Sequence, residues 1–310
     1  MGIVVLDLNA YKMDISDIKE VPSKVKLSAK KYYIDLIGTD VWSNDSWKSL
    51  SVLKIELLRI EKLGLKLQQL KSLTKLTLIN VHNQKEDNYY QHLFECLPVL
   101  DRLQILNIVA TRGFSSKVNY VTFINFINSL RNIKSIKCDF IDFIIPPFSK
   151  KIPTVKLEPP RFTVQPLEKL KFRYGELSMP KLNKYSMFRY TQSLKQLILK
   201  DCNCEKATDI FTNLVDYPFE ISIHMSEYIN DSTMAVFIKN QKRLKLRKID
   251  LLGISINNAA KLVECNMPSL KEVHIQLKSL GEIPCLETLS KSFLLNFSFE
   301  SSIECTFGKY

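Results

Sequence analysis

One short pattern of apolar residues recurs along this chain and constrains its fold more than any other feature. In the segment SLKQLILKDCNC, residues 193–204, the apolar positions are Leu194, Leu197, Leu199 and Cys202. The alternation of Leu197 and Leu199 is typical of a strand, because successive side chains of a strand point to opposite faces. One short apolar run does not distinguish a buried strand from a buried helix, so the recurrence of the pattern decides.

Copies of this pattern lie 22 to 34 residues apart, measured between their second apolar strand positions. The clear copies are LKSLTKLTLINV at 70–81, LRNIKSIKCDFI at 130–141, LEKLKF at 167–172, LRKIDLLGI at 246–254 and MPSLKEVHI at 267–275. Looser copies centre on Ile55, Ile108, Ile223 and Phe297, and the weakest lie near Leu6 and Leu27. Self-similarity at such a period is the signature of a solenoid.

The segments between the predicted strands have the apolar spacing of helices. They include residues 89–100, 123–130, 207–215, 234–240 and 258–265. Each unit is therefore predicted to be one strand and a return helix, and neighbouring units must stack because neither element buries its apolar face alone. The fold class that this predicts is an α/β solenoid of about 10–12 repeats, with a curved parallel sheet on the concave side and helices on the convex side.

The spacing LxxLxLxxC at residues 194–202, with repeats of about 26–28 residues, resembles the cysteine-containing class of leucine-rich repeat proteins. The resemblance covers nearly the whole chain. Most units carry another residue at the position of Cys202, and these are Val81, Ile141, Gly175 and Ile254. Because that class is common among F-box receptors of ubiquitin ligases, the resemblance implies a receptor that binds a target protein on its concave face. No F-box-like helical segment precedes the repeats, so the Skp adaptor is an expected partner only if an N-terminal F-box is missing from this sequence.

We expect residues 1–310 to form one leucine-rich repeat solenoid with two irregular stretches. The repeats within residues 1–45 are irregular, and residues 145–166 contain half of the chain's 12 prolines. Proline has no amide hydrogen and fixes φ, so this proline-rich segment cannot be a repeat helix and is predicted to be an extended insertion loop. Both a purely solvated insertion and a loop that contacts a partner remain open at this stage.

Composition and cysteine usage favour a protein of the cytoplasm or the nucleus. Hydrophobic residues make up 45% of the chain and charged residues 25%, which is ordinary for soluble domains. No apolar run reaches the roughly 18 residues that a bilayer-spanning helix needs, so we expect no membrane association. The seven cysteines are odd in number and lack tightly paired spacing, as expected for reduced thiols.

The sequence lacks the motifs that would indicate catalysis. None of its four histidines lies in a HExxH arrangement, and neither a GxGxxG nor a GxxxxGK phosphate loop nor a GxSxG elbow occurs. Cys202 and Cys204 have strand spacing, and no second pair follows to complete a zinc site. We therefore expect no enzyme activity, no cofactor and no bound metal.

The residues that alternate with the buried leucines are predicted to face the open side of the sheet. They concentrate positive charge in the middle repeats, followed by a mixed stretch with acidic residues and histidines. The predicted partner-binding residues are Lys137, Lys169, Lys171, Arg173, Lys200, His224, Asp250 and His274. A solvated strand surface would explain each residue singly. The five cations, however, would lie within a Debye length of one another, about 8–10 Å, and an acidic ligand would relieve their repulsion.

Three functions are compatible with these features. The first is protein recognition, most concretely as the substrate-binding repeat domain of an F-box-type receptor whose target carries an acidic segment. The second is a leucine-rich repeat scaffold or inhibitor without any ligase. The third is a nucleic-acid or phospho-ligand binder, which the net charge of +12 suggests. The third is disfavoured because no aromatic residues interleave with the predicted cations, as base stacking would require.

Overall fold

A computed structural model shows the fold of this chain. It describes residues 4–7, 23–28, 34–35, 47–56, 58–59, 62–81, 88–111, 116–144, 166–177, 188, 191, 193–200, 202, 207–215, 217–225, 231–254, 257–258, 261–262, 265, 267–277 and 302–307. The chain divides into two compact units, Met1–Leu167 and Glu168–Tyr310. Apart from Pro166, the proline-rich segment lies outside the described residues, as does the repeat copy centred on Phe297.

The first unit is built on a parallel sheet. Its strands are β1 Val4–Asp7, β2 Lys24–Ser28, β3 Ile34–Asp35, β4 Val52–Glu56, β5 Leu58–Arg59, β6 Lys75–Ile79, β7 Ile105–Val109, β8 Lys117–Asn119, β9 Ser135–Asp139 and β10 Asp142–Ile144, and its helices are α1 Leu63–Leu67, α2 Tyr89–Cys96 and α3 Tyr120–Ser129. The sheet order is β1-β2-β4-β6-β7-β9, while β3 pairs with β5 and β8 pairs with β10, all in parallel. A short 3₁₀ turn at Leu97–Val99 follows α2.

The repeated apolar residues lie side by side across this sheet. Leu53, Leu76, Leu106 and Ile136 are cross-strand partners on β4, β6, β7 and β9, and all four are fully buried. The weakest sequence copies are repeats as well, because β1 and β2 pair in parallel with Leu6 opposite Leu27. The predicted parallel strand-and-helix repeat is therefore confirmed in this unit.

The helices of the first unit pack closely against one another. Phe94 of α2 and Phe123 and Phe126 of α3 form an aromatic cluster, and the Phe94 and Phe126 ring centroids are 5.0 Å apart at nearly perpendicular planes. Gly64 lets α1 approach α2, because a Cβ at this position would lie 2.7 Å from Cβ of Cys96. The predicted helices at 89–100 and 123–130 are thus present, the first as α2 followed by the 3₁₀ turn.

The second unit repeats the same arrangement. Its strands are β11 Lys169–Arg173, β12 Gln196–Lys200, β13 Ile221–Met225, β14 Leu246–Ile254, β15 Glu272–Leu277 and β16 Ser302–Phe307, and its helices are α4 Ala207–Leu214 and α5 Asp231–Asn240. The strands are parallel and their order in the sheet is the order of the chain. Together with the first unit, this gives the α/β fold of a leucine-rich repeat solenoid.

The register of β13 differs from the one that the sequence indicated. The sequence pattern centred this repeat on Ile223, but in the sheet Met225 is the partner of Leu199 on β12 and of Leu251 on β14. With Met225 as the centre, the two intervals become 26 residues each. The looser pattern misled because Ile221, Ile223 and Met225 are all buried and any two of them fit the template.

Candidate functional site

The open face of the sheet in the second unit carries two rows of side chains that run across the strands. Buried residues alternate along β11 and β12 with partly or fully exposed ones, as the pleat of a half-buried sheet requires. The first row is Lys169, Gln196, Ser222, Lys248 and Glu272, which are cross-strand partners in that order. The second row is Lys171, Ile198, His224, Asp250 and His274, again as successive partners.

A shallow groove of about 370 Å³ lies over these two rows. Its lining residues are Lys171, Gln196, Ile198, Lys200, Ser222, Ile223, His224, Lys248 and Asp250. Three of them are lysines, and Ile198 supplies an exposed apolar floor between the polar side chains. The groove is therefore suited to an elongated ligand with negative charge and some apolar surface.

His224 and Asp250 form a close pair on neighbouring strands. Nδ1 of His224 lies 2.6 Å from Oδ2 of Asp250, and about a quarter of each side chain is exposed. Partial burial raises the pKa of Asp250, but the hydrogen bond from His224 and the charges of His224, His274 and Lys248 outweigh it, so the pKa of Asp250 is lowered. Asp250 is thus held ionised in the wall of the groove.

Lys248 and Glu272 form a second cross-strand pair beside the first. The Lys248 ammonium lies 2.8 Å from Oε2 of Glu272. The hydrogen bond and the charge of Lys248 lower the pKa of Glu272, which is more exposed than Asp250. The acidic residues at this end of the groove are therefore compensated within the sheet.

The cations at the other end lie on β11 and β12. Arg173 and Lys200 are direct cross-strand partners, so two like charges end neighbouring strands, an arrangement that costs stability. The Arg173 guanidinium carbon lies 5.6 Å from the ring centroid of Tyr174. Within the described part of the chain, Lys169 and Lys200 make no ion pair. This end of the groove is consequently the more positive one.

Lys137 lies in the first unit and has its own counter-charge. Its ammonium is 2.9 Å from Oδ2 of Asp139, two residues along β9. The sequence placed Asp139 on the open face, and this is wrong, because its side chain is fully buried where β9 ends in the positive φ of Phe140. The argument that unrelieved repulsion marks a ligand site therefore does not extend to Lys137.

The structure brings seven of the eight predicted partner-binding residues onto one sheet. Lys169, Lys171, Arg173, Lys200, His224, Asp250 and His274 all lie on β11 to β15 of the second unit. Their role in binding stays a prediction. Lys248 belongs with them, and a repeat template centred on Met225 would have paired it with Ser222 and revealed its place in the first row.

The thiols and acidic groups show no arrangement typical of catalysis or metal binding. Cys96, Cys138, Cys202 and Cys265 are free thiols. Burial raises the pKa of Cys138 well above its usual range, which keeps the thiol protonated. Among the residues with a described position, no three His, Cys, Asp or Glu side chains are grouped as metal ligands would be. None of the helices for which positions are described is long and apolar enough to cross a bilayer.

No protein-family model matches this chain, and no curated protein matches it significantly. Among solved structures, a leucine-rich repeat protein of Leptospira interrogans is similar at 13% sequence identity, covering 92% of this chain and 81% of that protein, with a TM-score of 0.30. This TM-score is too low to support an assignment. The fold assignment rests on the register and burial of the strands themselves.

Proposed function

We propose that this chain is a protein-recognition module that takes an acidic segment of a partner protein on the open sheet face of its second unit. The observation that carries the proposal is the groove of about 370 Å³ over two rows of polar side chains. Lys171, Arg173 and Lys200 are the principal contacts and Lys169 flanks them. Repeat solenoids characteristically bind through such extended faces, because side chains from several repeats converge there.

The charge distribution supports an acidic ligand rather than a basic one. The acidic residues of the groove region, Asp250 and Glu272, already pair with His224 and Lys248 within the sheet. The cationic end combines neighbouring like charges on β11 and β12 with exposed Lys169. An incoming carboxylate would relieve that repulsion, and the planar guanidinium of Arg173 can bind it through two hydrogen bonds.

The narrower form of this proposal is that the partner is a target presented to a ubiquitin ligase, as in F-box receptors with leucine-rich repeats. It rests on the spacing LxxLxLxxC at 194–202. The burial of Cys202, whose thiol lies 3.6 Å from the carbonyl oxygen of Lys200, is consistent with that repeat class. Co-purification with the Skp adaptor tests this narrower form, and the absence of the adaptor would leave a scaffold or inhibitor that uses the same face.

The wider proposal is tested with a short fluorescent polyglutamate peptide. We expect salt-dependent binding that the double reversal of Lys171 and Arg173 to Glu weakens by about tenfold or more, because both attractive contacts become repulsive. The matched control reverses Lys242 and Arg243, which are exposed after α5 and change the net charge equally. Fluorescence anisotropy at two salt concentrations measures both variants.

Three outcomes would contradict the proposal. The first is an absence of peptide binding to the native chain. The second is an equal loss in the two double variants, which would make net charge the cause rather than the groove. The third is tighter binding of single-stranded DNA than of the peptide, with the same dependence on Lys171 and Arg173, which would favour a nucleic-acid ligand.

A further inference from the structure

Tyr174 is an exposed aromatic residue at the cationic end of the groove. It follows β11 directly, and 44% of its surface remains exposed. Its backbone N–H donates to the carbonyl oxygen of Lys200 at 3.1 Å, which fixes it beside the end of β12. The Arg173 guanidinium carbon lies 5.6 Å from the ring centroid, within the range of a cation–π interaction. The ring is therefore held in place without being buried.

The backbone at this position disfavours tyrosine. Tyr174 has a φ of 56°, and the residues that follow β6 and β9, Asn80 and Phe140, have φ values of 49° and 60°. A left-handed residue after the strand is thus a recurring feature of the repeat, and such positions favour Gly, Asn or Asp. Asn80 meets this preference. A large exposed ring at Tyr174 gains little from burial to offset the strained backbone, which points to a use outside the fold.

We propose that Tyr174 is a specificity-determining contact that receives an apolar side chain next to an acidic residue of the partner segment. This inference rests on the proposed function and names the partner's chemistry more closely. The carboxylate binds Arg173 or Lys200, and the neighbouring apolar side chain covers the open face of the ring. Tyrosine and arginine are the residues most enriched at the energetic centres of protein interfaces, since each offers both apolar area and a polar group.

The test compares two short fluorescent peptides that differ at one position. One is polyglutamate with a central phenylalanine, and the other carries serine in its place. We expect the native chain to bind the phenylalanine peptide about fivefold more tightly, a difference typical of one additional apolar contact. Tyr174→Asn should abolish this preference while retaining salt-dependent binding of both peptides, and Tyr174→Phe should retain the preference. Anisotropy titrations measure all three proteins.

Thermal melting of Tyr174→Asn separates binding from folding. Because asparagine tolerates the left-handed backbone, as at Asn80, we expect its melting temperature to equal or exceed that of the native chain. Equal affinity of the native chain for the two peptides would overturn the inference and leave the proposed function standing, since the acidic residues still bind. Retention of the preference in Tyr174→Asn would also overturn it. Failure of both peptides to bind would remove the proposed function and this inference together.

Discussion

At the scale of single residues, the wall of the groove is organised by Asp250. It lies between His224 and His274 in the second row, and it accepts a hydrogen bond from His224. Because the pKa of Asp250 is lower in the folded chain than in the unfolded chain, its ionisation stabilises the fold above the unfolded pKa. That stabilisation is lost as the pH falls through the folded pKa.

Replacing Asp250 by Asn should therefore lower the melting temperature at neutral pH but make progressively less difference in acid. Below the folded pKa, Asp250 is protonated and resembles the amide, so the two melting curves should converge. Glu272→Gln is the comparison, since its pKa is also lowered but the group is more exposed, and solvent should reduce the effect. Melting temperatures between pH 7 and pH 3 measure this, and a difference for Asp250→Asn that is constant with pH would contradict it.

At the scale of strands and helices, the sequence predicts what periodicity encodes and fails where a template fits in two ways. The alternation of Leu197 and Leu199 defines a strand of the sheet, and even the faint copies near Leu6 and Leu27 are adjacent strands. The register of β13 was missed because its extra apolar residue makes a shift of two residues invisible to the pattern. No sequence period indicates it, since a shift by two keeps the same face.

The ends of strands were the least predictable part of the site. Alternation places Asp139 on the open face, but the chain turns immediately after it and buries its side chain beside Lys137. The left-handed backbone of Tyr174 likewise depends on hydrogen bonds to the next strand, which a pattern of apolar residues does not report. The pairs His224–Asp250 and Lys248–Glu272 depend on register, so they emerged only from the structure.

The two faces of one strand should respond very differently to truncation. Leu197 is fully buried in the repeat core, and its neighbour Ile198 lies partly exposed in the groove. We expect Leu197→Ala to reduce the free energy of unfolding by about 2–5 kcal/mol, because it removes close-packed apolar contacts and leaves a cavity. Ile198→Ala should cost clearly less. Urea unfolding of both variants measures this, and equal losses would mean that the inward and outward faces have been assigned incorrectly.

At the scale of the whole chain, the sequence continues the repeat period through the proline-rich segment. The interval from Cys138 to Phe172 is 34 residues, the longest in the series but still a single period. In a repeat solenoid, each unit is stabilised chiefly by its neighbours, so unfolding spreads from one repeat to the next. This is the physical basis for predicting one solenoid across residues 1–310.

If that prediction holds, the chain should unfold in one cooperative transition even though it divides into two compact units. The distribution of tryptophan makes this measurable, because Trp42 and Trp47 both belong to Met1–Leu167. Tryptophan fluorescence therefore reports on the first unit alone, whereas far-ultraviolet circular dichroism reports on the strands and helices of both. We expect the two signals to give the same urea midpoint, as two-state unfolding requires. A circular dichroism transition that continues after the fluorescence change is complete would instead show that residues 168–310 fold independently, and the single-solenoid prediction would then be wrong.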